Sequence, residues 1–144
     1  MAYPTPEPGL VIHYSYLWRE EADRGQEEGE KDRPCAVVVT TQDDQGETIV
    51  MVLPITHTPP TRPELAVEIP ALTKRRIGLD DERSWIILTE TNRFVWPGPD
   101  LRPRTVGDSA SVTYGHLPAK LFFEVREKLA RAIELRLARA VKRT

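Results

Sequence analysis

The sequence predicts a mainly β fold, a small barrel or half-open sheet that carries one amphipathic helix at its C-terminal end. Short apolar segments separated by turn-forming residues occupy most of the chain, and a helical period appears only near the end. The length of 144 residues suits one domain with a modest core. With 40% hydrophobic and 29% charged residues, the composition is typical of a globular chain. We therefore expect a single domain over residues 1–144.

Three strands are predicted in the first half of the chain. Residues 1–8 contain three prolines and no apolar period, so we expect an irregular lead-in. Residues 10–14 form a strand-like segment rich in β-branched and aromatic side chains. Residues 35–41 and 48–53 flank the turn-like segment 43–46 and predict a hairpin. Because both of its strands are apolar on both faces, we expect the hairpin to be central and buried.

The second half of the chain predicts shorter strands. Pro54 is expected to end or bend the second hairpin strand, since proline cannot donate a hydrogen bond to a β-ladder. Residues 66–69 and 84–89 have strand composition, and each follows turn or loop residues. The weakly patterned segment 101–114 leaves room for one more edge strand.

A C-terminal helix is predicted over residues 118–143. Pro118 suits the first turn, where its missing N–H carries no cost. Apolar side chains then recur at helical spacing and define one stripe: Phe122, Val125, Leu129, Ile133, Leu137 and Val141. We expect this stripe to pack against the strands at 35–41, 48–53 and 84–89.

The segment from residue 19 to residue 33 is predicted to be a long surface loop. It contains seven acidic and four basic residues, together with Gly25 and Gly29. Connections of this length inside a compact domain are often functional. The net charge of −2 argues against a surface that attracts nucleic acid everywhere, although a local basic patch is compatible with it.

The cysteine count and the hydropathy pattern bound the cellular location. Cys35 is the only cysteine, so neither an intrachain disulfide nor a cysteine-based zinc site is possible. The longest apolar runs are far shorter than the roughly 20 residues that a membrane span needs. The first residues lack the basic and apolar regions of a secretory signal. We therefore expect a cytoplasmic protein that makes no membrane contact.

Four segments, taken in order, resemble the MazF/PemK family of type II toxins. Residues 31–39 (KDRPCAVVV) are similar to the Arg-Pro strand that follows the family's first loop, and residues 50–56 (VMVLPIT) are similar to its Pro-x-Thr strand end. Residues 78–89 (GLDDERSWIILT) resemble a later strand of the family, and residues 115–125 (GHLPAKLFFEV) resemble the start of its last helix. In order and spacing, the resemblance spans about residues 9–140, most of the chain.

The resemblance implies an SH3-like barrel that forms a homodimer and is silenced by a cognate antitoxin protein. It implies a metal-independent endoribonuclease that cleaves single-stranded RNA and leaves a 2′,3′-cyclic phosphate, with no cofactor. By position, Arg33 matches the family's catalytic arginine and Thr56 its active-site threonine. Glu28, or its neighbour Glu27, would take the place of a glutamate that part of the family uses. His57 stands where the family commonly has serine, and the segment from Trp96 to Asp100 departs from the family pattern.

Elementary chemistry agrees with these assignments. Internal cleavage of RNA needs a base for the 2′-hydroxyl, an acid for the leaving oxygen and a cation near the phosphorus. The planar, permanently charged guanidinium of Arg33 suits phosphate oxygens. We also predict substrate contacts from Lys31, His57 and Trp96. No metal is expected, because the three histidines are widely separated in the sequence.

Each assignment has a structural alternative. Arg33 could form a surface ion pair with Glu30 or Asp32, Thr56 could make a strand-end hydrogen bond, and His57 could be a turn residue. At the level of function, a toxin of the same fold could act on DNA gyrase, or the chain could be a noncatalytic barrel that binds RNA or protein. We expect the active groove where the 19–33 loop meets Thr56.

Overall fold

The computed structural model of the protein describes residues 3–143 and has a mainly β fold. One sheet contains eight strands, and three α-helices accompany it. The strands are β1 (Leu10–Tyr14), β2 (Arg33–Gln42), β3 (Thr48–Thr56), β4 (Ala66–Glu68), β5 (Trp85–Ile87), β6 (Glu90–Val95), β7 (Thr113–His116) and β8 (Arg139–Lys142). The helices are α1 (Arg19–Asp23), α2 (Ala71–Ile77) and α3 (Ala119–Glu134).

The predicted hairpin is confirmed as the centre of the sheet. The main strand order is β4-β5-β3-β2-β1-β7, and the pairs along it are antiparallel. On the side away from β2, strand β3 pairs with β6 through residues 49–52 and with β5 through Ile55 and Thr56. Pro54 lies between these two segments, so the strand continues past it to Thr56 rather than ending there. This exchange of neighbours brings the end of β3 next to the segment that follows α2.

The sheet buries an apolar cluster on each face. Alternate residues of a strand point to opposite faces, and Val11 and Ile12 accordingly belong to different clusters. The first cluster contains buried side chains from the central strands, α2 and α3, including Ala36, Leu53, Ile77, Ile86, Leu121, Val125 and Leu129. The second contains Ile12, Tyr14, Tyr16, Cys35, Val37, Val50, Val52 and Phe94. The C-terminal helix therefore shares this first cluster with the hairpin residues Ala36 and Leu53, while its main element contacts are with β4 and the short 3-10 turn Pro63–Leu65.

The C-terminal helix is shorter than predicted. It ends at Glu134, where Arg136 adopts a left-handed backbone with φ of 57°. The Leu137 N–H donates to the Ala132 carbonyl at 2.8 Å and the Arg136 N–H donates to that of Ile133 at 2.9 Å, the hydrogen-bond pattern of a Schellman cap.

The residues after this cap form β8, which pairs in parallel with β6. The prediction of a helix through residue 143, with Leu137 and Val141 on its stripe, is thus wrong. Pairing with β6 overrides the local helical period, which is a weak determinant of structure.

The sequence patterns also missed two elements near the site. Helix α2 is only seven residues long, too short for a helical period to stand out from the sequence. Strand β6 (ETNRFV) mixes charged and apolar residues and lacks regular alternation. The 19–33 loop contains the single-turn helix α1, and the lead-in is irregular from residue 3 to residue 8. Within residues 3–143, no helix combines the length and the apolar character needed to cross a bilayer.

Candidate functional site

A cleft of about 510 Å³ opens where the start of β2, the end of β3 and the segment after α2 meet. Four of the residues predicted to have functional roles line it: Lys31, Arg33, Thr56 and His57. Lys74, Asp80, Ser84 and Tyr114 line it as well. The groove lies where the acidic loop meets Thr56, at the position predicted from the sequence.

The β2–β3 register explains why Arg33 and Thr56 share this cleft. Cys35 pairs with Pro54 in the antiparallel ladder. Two residues further out, Arg33 on β2 and Thr56 on β3 therefore lie at the same end of the hairpin. The Arg33 Nη1 donates a hydrogen bond of 3.4 Å to the Ile55 carbonyl, which links the two strand ends directly.

Arg33 is half-buried and has no carboxylate partner among the described ion pairs. Its guanidinium carbon lies 5.0 Å from the centroid of the Trp18 ring, and its Nε is buried without a hydrogen-bond partner. Glu30 instead pairs with Arg24 at 3.5 Å, and Asp32 pairs with Arg102 at 3.6 Å. The contacts within residues 3–143 therefore do not show the predicted surface ion pair. The guanidinium keeps donors that an anionic ligand could engage.

Thr56, the last residue of β3, and His57, which follows it, also line the cleft. The Thr56 Oγ1 accepts a hydrogen bond of 3.1 Å from the Thr58 N–H, so the predicted strand-end hydrogen bond is present. The His57 Nε2 lies 2.7 Å from Asp80 Oδ2, and its Nδ1 lies 3.7 Å from Glu82 Oε2. A separation of 3.7 Å is too long for a hydrogen bond. The imidazole is therefore held through one nitrogen only.

Lys74 is buried and hydrogen-bonded to residues that lie beside His57 in the cleft. Its side chain is 3% exposed, and buried lysines are rare unless they are paired. The Lys74 Nζ donates to Asp80 Oδ1 at 2.6 Å, to Ser84 Oγ at 2.7 Å and to the Glu82 carbonyl. Partial burial acts to raise the pKa of Asp80, but the hydrogen bonds and charges of Lys74 and His57 outweigh it and lower that pKa below its ordinary value. Asp80 is thus held as a carboxylate.

The exposed side chains of His57, Asp80 and Glu82 could supply ligands to a metal ion, since their ligand atoms lie within 4.8 Å of one another. Both Asp80 oxygens already have partners, because Oδ1 accepts from the Lys74 ammonium and Oδ2 lies against His57. The Lys74 charge already neutralises the carboxylate that a cation would need. His57, Asp80 and Lys74 therefore already form a hydrogen-bonded chain within the protein.

A second cavity of about 350 Å³ adjoins the cleft and shares Lys31 and Arg33 with it. Trp18 and Glu90 also line this cavity. Burial raises the pKa of Glu90, although hydrogen bonds from the Arg19 N–H and the Tyr16 hydroxyl oppose that rise. Arg33 therefore stands between two adjoining depressions.

Glu28 and Trp96 do not line the cleft. Glu28 is exposed in the loop, and its backbone carbonyl lies 3.5 Å from Gln26 Nε2. Trp96 packs against the second apolar cluster, with its ring centroid 6.1 Å from that of Phe94. The loop carboxylate that is buried is Glu21, which accepts from the N–H groups of Trp18 and Glu30 at 2.9 and 3.2 Å. Glu21 therefore organises the loop.

Lys74, Asp80 and Ser84 were not predicted as site residues from the sequence. Asp80 appears in the sequence only as part of a turn signal, and Lys74 belongs to the helix that the patterns did not reveal. No local signal indicates that a lysine in an Arg- and Lys-rich segment will be buried.

Comparison of the chain with models of known protein families and with curated proteins found no match. The resemblance to MazF/PemK toxins therefore depends on the four segments and on the residues that they bring together.

Proposed function

We propose that the protein is a metal-independent endoribonuclease that cleaves single-stranded RNA, built on an SH3-like barrel of the MazF/PemK type. One observation carries this proposal. Arg33 and Thr56, assigned separately from two sequence motifs, line one cleft together with His57. A cation and polar hydroxyl and imidazole groups facing a common space suit the chemistry of a phosphodiester.

The reaction would be an internal transesterification. The RNA 2′-oxygen attacks the adjacent phosphorus and forms a new O–P bond, its proton is removed, and the bond to the 5′-oxygen breaks. The products are a 2′,3′-cyclic phosphate and a free 5′-hydroxyl. Arg33 would bind the non-bridging oxygens as charge develops on them, and Thr56 would give a hydrogen bond to the same phosphate.

The shape of the surface supports a strand-like substrate. The two cavities adjoin at Lys31 and Arg33, so a phosphate at Arg33 would have its flanking nucleotides directed into the two depressions. Trp18 lines the second cavity, and the ring face not covered by the Arg33 guanidinium would be the surface on which a base could stack. A single strand fits such a site because its bases are free to turn outward.

In this proposal the protein acts in the cytoplasm as the toxin of a type II toxin–antitoxin pair. It works as a homodimer, and its antitoxin covers the cleft when the enzyme is silent. The two alternatives, a poison of DNA gyrase and a noncatalytic binding barrel, would need no arginine beside Thr56.

The test is cleavage of a long single-stranded RNA by the purified protein in EDTA. Wild type should cut at selected sites and leave cyclic phosphate ends. Arg33→Ala should retain the fold by circular dichroism and lose at least about 100-fold in rate, the usual cost of removing one group that stabilises the transition state. Arg131→Ala is the matched control, because Arg131 is exposed on α3. Intact RNA across several substrates would favour the gyrase or binding alternatives, and undiminished cleavage by Arg33→Ala would remove Arg33 from the active site.

A further inference from the structure

The part of the cleft lined by His57, Asp80 and Lys74 contains an arrangement that the family resemblance does not include. An imidazole, a carboxylate and a buried ammonium follow one another in hydrogen-bond contact, from His57 through Asp80 to Lys74. We propose that His57 is the general base that removes the 2′-hydroxyl proton, and that Asp80, anchored by Lys74, is its positioning residue. This inference depends on the proposed nuclease function and deepens it.

The contact with Asp80 fixes the tautomer of His57. An ionised carboxylate can only accept a hydrogen bond, so the imidazole must donate from Nε2. The Asp80 pKa lies below its ordinary value, which keeps the carboxylate ionised at neutral pH. In the neutral ring the lone pair then resides on Nδ1, which lies 3.7 Å from Glu82 Oε2, and in this proposal that nitrogen accepts the proton. A carboxylate that holds an imidazole in one tautomer and orientation also stabilises the imidazolium formed after proton transfer.

The Asp80 carboxylate is itself held rigidly, although it is half-exposed. Its Oδ1 accepts from Lys74 Nζ at 2.6 Å and from the Glu82 N–H at 3.1 Å. Lys74 comes from α2, which ends at Gly78 with a left-handed φ of 83° and turns the chain back toward the cleft. Fixing a catalytic group through such outer partners is the usual way in which a site keeps its geometry.

His57 is better placed for this role than the loop glutamate. Glu28 does not line the cleft, whereas His57 shares it with Arg33 and Thr56. The other charged or titratable groups that line this cleft or lie beside His57 come from several elements: Lys31 and Asp32 from the loop before β2, Arg33 from the first residue of β2, Lys74 from α2, Asp80 and Glu82 from the segment that follows it, and Tyr114 from β7. Burial raises the pKa of Tyr114, which remains a neutral hydroxyl beside them.

The proposed cleavage needs only the RNA, the protein and water. Nδ1 of His57 takes the proton as the 2′-oxygen forms its bond to phosphorus. The 5′-oxygen departs from the opposite side of the phosphorus and takes a proton from water, and the imidazolium returns its own proton to solvent. Arg33 supplies positive charge to the phosphate throughout.

The experiment compares His57→Ala and Asp80→Asn with wild type on a short RNA in EDTA, with the kcat and KM of each measured. The chain offers a matched control pair, because His116 Nε2 lies 3.1 Å from Glu7 Oε1 and is 53% exposed, against 49% for His57. His116→Ala and Glu7→Gln should leave both constants unchanged. His57→Ala should lower kcat by about 100-fold or more, as expected for loss of a general base, and added imidazole should restore part of it. Asp80→Asn should lower kcat with KM within about twofold, and ¹⁵N NMR should show the Nε2–H tautomer of His57 in wild type but a mixture in this variant.

The outcomes separate this inference from the proposed function. Cleavage by wild type that is undiminished in His57→Ala would overturn the role of His57 and leave the nuclease standing. The role of His57 would also be overturned if His57→Ala raised only KM, or if added imidazole did not restore any kcat. In either case His57 would bind substrate without moving a proton. Activity that EDTA abolishes and Mn²⁺ or Zn²⁺ restores would show the cluster to be a metal site instead. Intact RNA with wild type would overturn both proposals.

Discussion

Replacing Arg143 with methionine tests how the C-terminal strand is attached to the sheet. The Arg143 side chain is 2% exposed, and its Nη2 lies 2.8 Å from Oδ2 of Asp100, which is 8% exposed. Its Nη1 also donates to the Ser15 carbonyl at 3.0 Å and to Asn92 Oδ1 at 2.8 Å. Methionine fills a similar volume but satisfies none of these acceptors.

The expected loss follows from the charge that is left behind. Removing one partner of a buried ion pair costs about 3–5 kcal/mol, because the other charge stays in a poorly solvated place. Arg102 lies 3.7 Å from the other Asp100 oxygen and offers partial compensation, so we expect the lower end, about 3 kcal/mol. For a domain of this size that corresponds to a fall in Tm of roughly 6–12 °C.

The assay is urea unfolding followed by circular dichroism, with thermal melts alongside. Arg139→Met is the matched control, since Arg139 belongs to β8 and is exposed, and it should change the unfolding free energy by no more than about 0.5 kcal/mol. An equal loss in the two variants would refute the reasoning, because the effect would then come from strand composition and not from the buried ion pair.

Two further variants test individual burial effects. Burial raises the folded-state pKa of Glu90, so the stability that this group contributes is complete below the ordinary glutamate pKa and is lost as pH rises through the raised value. Glu90→Gln keeps an oxygen acceptor, so its free energy of unfolding should match that of wild type near pH 4 and exceed it toward pH 7. Parallel urea titrations measure both values, and a difference that stays constant with pH would contradict this prediction. Cys35 is fully buried and burial raises its thiol pKa, so Ellman's reagent should label the native protein at least about 1000-fold more slowly than the urea-unfolded protein. Rapid labelling of the native protein would show that this part of the sheet opens readily.

Most of the sheet could be predicted from the sequence because its central strands carry strong local signals. The segments around Val37 and Val52 are runs of β-branched residues long enough for buried strands, and a turn composition separates them. The first part of the final helix was equally clear, since Val125 and Leu129 of the predicted stripe are buried and Phe122 is partly buried. Ile133, also on that stripe, is 56% exposed, so the stripe loses its burial before the helix ends. In each case the pattern that predicts the element is formed by residues that are close together in the sequence.

The remaining elements depend on distant partners. The residues from 139 to 142 continue a helical apolar period, yet they form a strand because β6 offers free backbone groups and Arg143 finds a buried carboxylate. The sequence of strand β6 has no regular alternation that would predict a strand, and β6 forms because it pairs with β3 and β8. A strand that forms because its hydrogen-bond partner is distant in sequence need not show an alternating pattern of apolar and polar residues, so the sequence alone does not reveal it.

The candidate site divides in the same way. By itself the sequence determined which residue types could handle phosphate, and it placed Arg33 just before and Thr56 just after the two strands of one predicted hairpin. The β2–β3 register and the continuation of β3 past Pro54 then bring the two residues to the same end. Only the tertiary structure brought Asp80 to His57 and buried Lys74 beneath them, because these contacts depend on where α2 packs against the sheet. Local patterns specify strands and their register, whereas the partners of a charged side chain depend on which surfaces come together when the chain folds.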